Sequence, residues 1–341
     1  MSKLSFVILI VFTLFCVFLA EEGDSYFGSK SGDTTTCHNV ENDHLECDSD
    51  NSIDVIFTFT NAVKNDDLQK QFILTVTSLF RHATIPLNIH IIGEEASQNL
   101  AEKIMAKNVP STAKYKIVHL DVDHLATELA DIVEPMQERF SYKKGSYYNH
   151  ALFFLSTAIH RVMPSTMHRA IMMDVDLKFR GDIKQLYDQF SLFDETHVMG
   201  LAREMQPVYR HLFWYHRREN PGTRVGDPPP NGLTGFNSGV LLLDLDRMRS
   251  SQLYNSMLER KNIESLADEF RIKGHLGDQD FFTLLGMVHE ELFYVLPCVF
   301  NRQLSSWWKD HGYKDVFHLY HDCEGDVLIY HGNGKTKIPD N

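Results

Sequence analysis

The sequence predicts an α/β protein built on a single, mainly parallel mixed β-sheet flanked by helices. Three observations support this prediction: strands alternate with amphipathic helices from residue 53 onward, short apolar runs end in turn residues, and the composition suits a sizeable core. Of the 341 residues, 43% are hydrophobic and 23% are charged, as is typical of globular α/β proteins. The chain has room for one large domain or two ordinary ones.

The individual elements follow from hydrophobic periodicity and turn residues. Apolar runs bounded by turn residues predict strands, whereas apolar residues three and four positions apart predict helices. The predicted strands are residues 53–59, 87–92, 115–120, 171–173, 197–202, 236–243 and 292–296. The predicted helices are residues 66–81, 95–107, 147–163, 182–189, 248–259 and 263–271, with another that begins near residue 278. The segments 206–235 and 301–322 are predicted to be long loops rich in aromatic residues.

The first 52 residues differ from the rest of the chain. An uncharged apolar run from Leu4 to Ala20 predicts a signal anchor or a signal peptide over residues 1–20. Phe18 makes a poor cleavage site, which favours an uncleaved anchor whose C-terminal side faces the lumen. Residues 21–52 are acidic and nearly free of aliphatic side chains, so they are predicted to form a luminal stem. The folded domain is then residues 53–341, inside the secretory pathway.

The charge balance excludes one class of partner. The formal net charge is −13, and no Lys/Arg-rich run occurs anywhere in the sequence. Nucleic acids require clustered cations, so a nucleic-acid partner is not expected. A phosphorylated substrate would need local help from a metal ion or from a few well-placed basic groups.

The cysteines suit an oxidising compartment. They are Cys16, inside the apolar run, and Cys37, Cys47, Cys298 and Cys323. Proximity in the sequence favours a Cys298–Cys323 disulfide, and it also favours pairing Cys37 with Cys47. Three connectivities of the four cysteines remain open at this stage.

The most informative stretch is the apolar run ending at Met173, which is followed by Asp174-Val-Asp176. In an open α/β sheet, the carboxyl end of a strand faces the ligand crevice. Two carboxylates at that position must be satisfied by a cation, by hydrogen bonds or by water. One interpretation is a divalent metal that holds a phosphorylated donor. The other is an ordinary acidic turn in which Asp182 caps the next helix.

The Asp-x-Asp pattern alone does not identify a metal site. It recurs at residues 48–50, 121–123, 174–176, 244–246 and 278–280. The first copy lies in the predicted stem, and the copies at 121–123 and 244–246 are predicted to end strands and cap helices. The surrounding motifs must therefore decide.

Five motifs occur in a fixed order along the chain. They are Asp174-x-Asp176, Gly181-Asp-Ile183, Asn237-Ser-Gly239, Gly277-Asp-Gln-Asp280 and His331-x-x-Gly334-x-x-Lys337. With these motifs, residues 53–341 resemble the retaining glycosyltransferases of the glycogenin and bacterial galactosyltransferase family, whose Rossmann-like fold is named GT-A. The phrases Gly235-Phe-Asn-Ser-Gly-Val and Tyr330-His-Gly-Asn resemble the members of that family that transfer xylose to xylosides.

The resemblance implies a specific activity. The expected reaction is retaining α-1,3-transfer of xylose from UDP-xylose to the xylosyl-glucose that is O-linked to EGF repeats, as on Notch. The expected location is the endoplasmic reticulum membrane, with the Golgi as second choice, and a homodimer is compatible with this interpretation. The alternatives are a related glucosyl- or galactosyltransferase that acts on another glycan, and a catalytically inactive, lectin-like or scaffolding protein of the same fold.

The resemblance also implies a set of site residues. Asp174, Asp176 and His331 are expected to bind Mn²⁺, with Mg²⁺ as a possible substitute, because this mixed N/O donor set suits such ions. The residues expected to contact UDP-xylose are Phe59, Thr60, Asn61, Val175, Ser238, Leu276, Gln279 and Lys337. Aromatic faces stack on sugar rings, and on this ground the residues expected to contact the acceptor are His211, Leu212, Phe213, Trp214, Trp307 and Trp308, together with Asn333.

The expected mechanism depends on Gln279, which the resemblance places nearest the anomeric carbon. Retention by double displacement needs a carboxylate nucleophile, and a glutamine is a poor substitute for one. The resemblance therefore implies front-face substitution, in which the departing UDP oxygen deprotonates the acceptor. Asp278 and Asp280 are expected to act either as alternative nucleophiles or as hydrogen-bond supports.

Overall fold

The computed structural model describes residues 52–141 and 150–340, together with the backbone of residues 36–37. The predicted anchor, most of the predicted stem and the side chains of Cys37 and Cys47 lie outside the described residues. Within the described ranges, no helix combines the length and the hydropathy that a membrane crossing requires.

The described residues form two sheets. The strands are β1 (Thr36–Cys37), β2 (Ile53–Thr58), β3 (Leu87–Gly93), β4 (Tyr115–Asp121), β5 (Arg169–Met173), β6 (Leu177–Phe179), β7 (Met199–Arg203), β8 (Phe236–Asp244), β9 (Phe293–Leu296), β10 (Arg302–Gln303) and β11 (Ile329–His331). The main sheet has the order β1-β4-β3-β2-β5-β8-β7-β9. Its neighbours are parallel from β4 to β5 and between β7 and β9, whereas β8 runs antiparallel to both of its neighbours. The predicted α/β fold with a mixed sheet is confirmed.

Helices cover both faces of the main sheet. They are α1 (Asp66–His82), α2 (Glu95–Asn108), α3 (Val122–Glu128), α4 (Ala130–Phe140), α5 (Leu155–Ala158), α6 (Ile183–Tyr187), α7 (Val208–Leu212), α8 (Trp214–Glu219), α9 (Leu245–Ser250), α10 (Gln252–Met257), α11 (Arg260–Glu269), α12 (Asp278–Val288) and α13 (Phe317–His321). Successive residues of a strand point to opposite faces, so Phe57 packs in one apolar cluster with Phe72 of α1. Its neighbour Ile56 belongs to the cluster on the other face, with Ile132 of α4.

The second sheet was not anticipated from the sequence. It contains three short strands in the order β10-β11-β6, and β11 is antiparallel to β6 with His331 opposite Leu177. Because β6 begins directly after Asp176, this small sheet brings the C-terminal segment to the end of β5. It is the element that assembles the site described below.

Two predicted helices are interrupted. The prediction of one helix over residues 147–163 is wrong for its described part, which is a 3-10 turn (Ala151–Phe154), α5 and a second 3-10 turn (Ile159–Arg161). Residues 154–160 are all buried, so tertiary packing rather than helix propensity sets their backbone. The predicted helix 248–259 is divided at Ser251, whose extended backbone and Oγ cap α10 by accepting the Tyr254 amide (3.1 Å).

The two predicted loops contain regular structure, and a disulfide joins the residues that flank the second loop. Segment 206–235 carries α7 and α8, and segment 301–322 carries β10 and α13. The predicted Cys298–Cys323 disulfide is present.

Candidate active site

The carboxylates of Asp174 and Asp176 lie at the carboxyl end of β5. The Asp174 amide donates to the carbonyl of Gly239 (3.0 Å), which extends the β5–β8 ladder by one residue. Between the two carboxylates, the carbonyl of Val175 accepts from Oγ1 of Thr75 in α1 (2.6 Å). The backbone of the turn that carries the two side chains is therefore fixed by hydrogen bonds, and these bonds leave both carboxylates available.

His331 completes a cluster of three ligand groups. Its Nε2 lies 3.3 Å from Asp176 Oδ1 and 3.5 Å from Asp174 Oδ2. One ligand atom from each of the three residues lies within 4.8 Å of the others. The Gly332 amide donates to the Asp176 carbonyl (2.8 Å), which holds the end of β11 against the turn. The structure thus brings the three predicted metal ligands together.

A glycine makes room for the imidazole. A Cβ at Gly239 would lie 2.3 Å from Cε1 of His331, far inside van der Waals contact. The glycine of the Asn237-Ser-Gly239 motif therefore allows the histidine ring to lie against β8. Any side chain at this position would displace the ring from the two carboxylates.

A chain of hydrogen bonds determines the tautomer of His331. The Gly239 amide donates to Oδ1 of Asn237 (3.1 Å), so this oxygen also accepts from Nδ2 of Asn301 (2.9 Å). Oδ1 of Asn301 must then be the atom that faces Nδ1 of His331 (2.9 Å). The Nδ1 atom consequently carries the hydrogen, and Nε2 is directed at the carboxylates. This outer hydrogen bond is the usual way in which a protein orients a metal-binding histidine.

The electrostatics of the cluster favour a cation. Burial lowers the pKa of His331, but the Asp176 and Asp174 carboxylates outweigh that effect and raise it to about 10. The Asp174 side chain is 59% exposed, so the cluster opens to solvent. Two carboxylates and one oriented imidazole fit Mn²⁺ or Mg²⁺, which would replace the imidazole proton.

Gln279, at the start of α12, is held at both ends of its carboxamide. Its Oε1 accepts from Nδ2 of Asn237 (3.1 Å) and from the amide of Ser238 (3.4 Å). Its Nε2 donates to Oε2 of Glu204 (3.3 Å) and to the hydroxyl of Tyr209 (3.3 Å). The side chain is buried, and its orientation is fixed entirely by protein groups.

Asp278 is engaged by two serines. Its Oδ1 accepts from the Ser238 hydroxyl (2.9 Å), and its Oδ2 accepts from the Ser156 hydroxyl of α5. Burial raises the pKa of this carboxyl to about 7. The arrangement positions Asp278 rigidly, which suits a hydrogen-bonding role.

Asp280 is also fully engaged. Its Oδ1 accepts from the Tyr209 hydroxyl (2.9 Å). Its Oδ2 accepts from the backbone amides of His275 (2.6 Å) and Leu276 (2.8 Å). These bonds fix the loop before α12, so Asp280 supports the site structurally and presents no free oxygen. Leu276 itself is half-buried and packs against the core.

The residues predicted for the nucleotide lie in a tight turn after β2. Phe59 is fully buried and stacks on Phe72 (ring centroids 4.5 Å apart), so its side chain cannot contact a nucleotide and only its backbone can. Thr60 is half-buried, and Asn61 has a left-handed backbone with φ of 54°. The Asn61 amide donates to the Glu94 carboxylate (3.0 Å), which stabilises this turn.

Val175 and Lys337 are the two other residues predicted to contact the sugar donor. The side chain of Val175 is buried in the core, so only its backbone can face a ligand. Lys337 is 85% exposed and pairs with the equally exposed Asp340 (3.4 Å), a contact that costs little to break. Its side chain can therefore reorient towards a diphosphate.

Three predicted acceptor residues form one aromatic cluster. The rings of His211 and Trp308 lie 4.9 Å apart, and those of Trp307 and Trp308 lie 5.0 Å apart. Trp307 is 54% exposed and stacks on His311 with ring centroids 3.6 Å apart. Nδ1 of His211 also bonds the Tyr313 hydroxyl (3.0 Å). Aromatic faces of this kind bind sugar rings.

The other predicted acceptor residues do not share this cluster. Phe213 is fully buried in the core, so the prediction that it contacts an acceptor is wrong. Leu212 is half-buried against the same core. Trp214 is exposed on α8, where it packs against Tyr215 instead. Asn333 caps the backbone after β10, because its Oδ1 accepts the amides of residues 304–305 (both 3.0 Å).

Sequence analysis missed four residues that build the site: Ser156, Glu204, Tyr209 and Asn301. Glu204 follows β7 directly, as Asp174 follows β5, so the rule that strand ends face the ligand crevice could have identified it. No sequence pattern marked the other three residues, because each reaches the site from an irregular segment or a short helix.

Comparison with known proteins identifies the family. Residues 64–338 match the model of glycosyl transferase family 8. This chain belongs to that family. It is 50% identical to mouse xyloside xylosyltransferase 1 over 292 residues, covering 84% of this chain and 74% of the relative. The crystal structure of the apo form of that mouse protein superposes with a TM-score of 0.81 at 49% identity, and it covers 84% of this chain and 100% of that one.

More distant structures share the fold of this family 8 enzyme. The galactosyltransferase LgtC, solved in complex with donor and acceptor sugar analogues, superposes with a TM-score of 0.51 at 12% identity, covering 84% of this chain and 88% of that one. At this identity the likeness concerns the fold alone. The predicted resemblance and the predicted GT-A fold are both confirmed, and the chain is a glycosyltransferase.

Proposed function

We propose that this enzyme is a retaining α-1,3-xylosyltransferase that uses UDP-xylose and Mn²⁺. The supporting observation is the assembly of Asp174, Asp176 and His331 close to a fully hydrogen-bonded Gln279, in a chain half identical to a xyloside xylosyltransferase. The net charge of −13 makes a metal ion the natural counterion for a nucleoside diphosphate.

The ligand triad would hold the ion that binds the donor diphosphate. Asp174, Asp176 and His331 are the residues that would hold a divalent ion, which would supply Lewis-acid stabilisation of the departing diphosphate. Asn301 keeps Nδ1 of His331 protonated, so that Nε2 presents its lone pair. Lys337 is free to add a second positive charge, because its exposed contact with Asp340 is weak.

The buried carboxylates support substitution at the front face. Double displacement requires a carboxylate with a free oxygen near the anomeric carbon. Asp278 is engaged by two serines, and Asp280 by one hydroxyl and two amides. The residue expected nearest the anomeric carbon is Gln279. Its carboxamide forms hydrogen bonds to Asn237 and Ser238 and cannot form the glycosyl ester that double displacement requires. In this scheme the chain contributes orientation and charge stabilisation.

The proposed acceptor is the xylosyl-glucose of an O-glycosylated EGF repeat. The exposed face of Trp307 and the adjoining Trp308 and His211 offer a stacking surface for a sugar. The proposed location is the lumen of the endoplasmic reticulum, with residues 1–20 as a membrane anchor. The Cys298–Cys323 disulfide agrees with an oxidising compartment.

The experiment is a donor and acceptor panel. The full-length enzyme is incubated with Mn²⁺, with UDP-xylose, UDP-glucose or UDP-galactose, and with a xylosyl-glucosyl EGF repeat or the unmodified repeat. The acceptor mass should rise by one pentose, only with UDP-xylose and only on the glycosylated repeat. A hexose increment would keep the fold and the metal site but contradict the proposed donor. UDP binding without transfer to either repeat would contradict the proposed acceptor.

A further inference from the structure

Glu204 is a buried carboxylate at the end of β7 that no part of the proposed chemistry uses. Its side chain is only 3% exposed. Its backbone is fixed by an amide that donates to the Gly235 carbonyl (2.9 Å), and its Oε1 accepts the Gln206 amide (3.1 Å). Burying a carboxylate destabilises the fold unless hydrogen bonds satisfy both of its oxygens, so Oε2 must also have hydrogen-bond donors nearby.

That second oxygen contacts the centre of the site. Oε2 of Glu204 accepts from Nδ2 of Asn237 (3.1 Å) and from Nε2 of Gln279 (3.3 Å). Asn237 continues through Asn301 to His331, with hydrogen bonds of 2.9 Å at each step. One carboxylate oxygen therefore joins the residue nearest the expected reaction centre to the residue that presents the metal-binding imidazole.

The polarity of these hydrogen bonds means that Glu204 fixes the orientation of the Gln279 carboxamide. Oε1 of Glu204 accepts the Gln206 amide, and Oε2 accepts Nδ2 of Asn237, whose orientation the Gly239 amide fixes. Oε2 is therefore an acceptor, so the group of Gln279 that faces it must be the amide nitrogen. The amide oxygen of Gln279 then accepts a hydrogen bond from the Ser238 amide (3.4 Å). An amide that flipped would place two acceptors against each other at Glu204 and two donors against each other at Ser238. The Glu204 contact is buried and the Ser238 contact is partly buried, so the flipped state is unfavourable.

We propose that Glu204 is a positioning residue for transfer: it fixes the orientation of the Gln279 carboxamide and, through Asn237, aligns it with the metal-binding imidazole. The proposal rests on the proposed function, because it assigns Glu204 a role in that reaction. Its effect is on the geometry of the bound donor in the transition state. Small errors of position at a reacting centre are costly, since about 1 Å can reduce a rate 100-fold.

The direct test is Glu204→Gln, which keeps the shape but replaces one acceptor oxygen with a donor. Either the Gln206 amide or the Asn237–Gln279 pair then faces an amide nitrogen, and the fixed orientation of Gln279 is lost. We expect kcat for pentose transfer to fall roughly 10- to 100-fold. The Kd for UDP in the presence of Mn²⁺, measured by calorimetry, should change by less than about threefold, since the metal ligands are unaltered. A loss of UDP affinity in proportion to kcat would contradict the proposal.

A double-mutant cycle separates positioning from a general structural effect. If Glu204 acts through Gln279, the double variant Glu204→Gln/Gln279→Ala should be no slower than Gln279→Ala alone. If the two losses multiply, the proposal is wrong. Glu204→Asp, which keeps the charge but retracts it by one methylene, is run in the same cycle and replaces the glutamine variant if that protein does not fold.

Two controls make each result specific. Asp244 is an equally buried carboxylate that caps α9 at the far end of β8 and pairs with Arg169 (3.2 Å), so Asp244→Asn, which loses this ion pair, should lower the thermal midpoint and leave kcat unchanged. A parallel loss of kcat in this control would show that stability alone explains the result, and it would overturn the proposal. The wild-type enzyme is assayed first: absence of pentose transfer contradicts the proposed function, whereas normal transfer with an additive cycle contradicts only the role of Glu204.

Discussion

Oδ1 of Asn301 lies 2.9 Å from Nδ1 of His331, and the Gly239 amide, acting through Asn237, determines which atoms face each other. A backbone N–H has only one polarity, so it fixes the asparagine amides in turn and finally the imidazole tautomer. Nε2 of His331 is therefore directed at the two carboxylates before any ion arrives. This orientation depends on Asn237 and Asn301, neither of which belongs to the three ligand residues.

The first prediction concerns Asn301→Ala. Without the acceptor at Nδ1, His331 is free to change tautomer and to rotate, so Mn²⁺ affinity should fall about 10- to 100-fold. Calorimetric titration of Mn²⁺ in the presence of UDP measures this loss. Asn255→Ala, which removes an asparagine side chain remote from the triad, is the matched control and should leave Mn²⁺ affinity unchanged. Equal Mn²⁺ affinity of wild type and Asn301→Ala would show that the outer hydrogen bond is unimportant.

The second prediction concerns Gly239→Ala. The added Cβ would meet Cε1 of His331 at 2.3 Å, so the ring must leave the carboxylates. Transfer activity should drop at least 100-fold, and Mn²⁺ should no longer stabilise the protein in thermal melts. Gly200→Ala, on the neighbouring β7, meets the Phe193 ring edge at 3.1 Å and Leu242 Cβ at 3.4 Å, neither of them a site residue, and should keep the Mn²⁺-dependent shift. If Gly239→Ala also kept that shift, the placement of His331 would be incorrect.

The third prediction concerns Gln279→Ala. The carboxamide contacts Ser238 and Asn237 and none of the three metal ligands, so its loss should affect the chemical step and not nucleotide binding. We expect kcat to fall about 100-fold or more while the Kd for UDP changes by less than about threefold. Steady-state kinetics and calorimetry on the same preparation provide both values. A proportional fall in UDP affinity would mean that Gln279 binds the nucleotide instead.

The fourth prediction concerns the pH dependence of stability, and it follows from the pKa of Asp278. Burial raises this pKa to about 7, above that of the unfolded chain, so the folded state binds the extra proton. The stability contribution is full below about pH 4 and is lost as the pH rises towards 7. Asn at this position can still bond both serine hydroxyls, since each can donate or accept. The thermal midpoint of Asp278→Asn minus that of the wild type should therefore increase as the pH rises from about 4 to 7, and it should stay constant above pH 7.

Calorimetric melts in EDTA, recorded at half-unit pH steps, measure that difference. The two curves should diverge by several degrees over the window, an order of magnitude that follows from a pKa shift of roughly three units. Parallel curves for variant and wild type would show that the Asp278 carboxyl ionises normally in the folded protein.

The fifth prediction concerns the acceptor surface. Trp307 is exposed and stacks on His311, so Trp307→Ala should raise the KM for the glycosylated acceptor about tenfold, a typical cost of removing an aromatic contact. The KM for UDP-xylose should not change. Trp214→Ala, which removes an equally exposed tryptophan outside this cluster, is the comparison. An effect of Trp214→Ala alone would move the acceptor site to α8.

The sequence predicted the main sheet because its evidence is local. The runs that form β2, β3 and β5 are apolar and end in polar turns, and their order along the chain follows the βαβ rule. The motifs also identified Asp174, Asp176 and His331 correctly as neighbours. These motifs worked through their resemblance to the family, because no local pattern in residues 329–331 predicts a strand that pairs with β6.

The sequence did not predict which distant residues form the hydrogen bonds of the site. Ser156, Tyr209 and Asn301 reach the site through pairings between residues at least 30 positions apart in the chain. Phe213 was assigned to the acceptor because aromatic residues cluster near it, but burial is a property of the folded chain and not of local composition. The long helix predicted over 147–163 failed for the same reason, since residues 154–160 are all buried.

The most direct test of this account is metal-dependent pentose transfer by matched proteins. Wild type and Asp176→Asn are freed of metal with EDTA, supplied with UDP-xylose and the xylosyl-glucosyl repeat, and titrated with Mn²⁺ while the acceptor mass is followed. We expect no transfer without Mn²⁺, full restoration in the wild type on adding Mn²⁺, and no restoration in the variant, because one of its two carboxylate ligands is gone. Pentose transfer by wild type in EDTA, or by Asp176→Asn at the wild-type rate, would contradict the account.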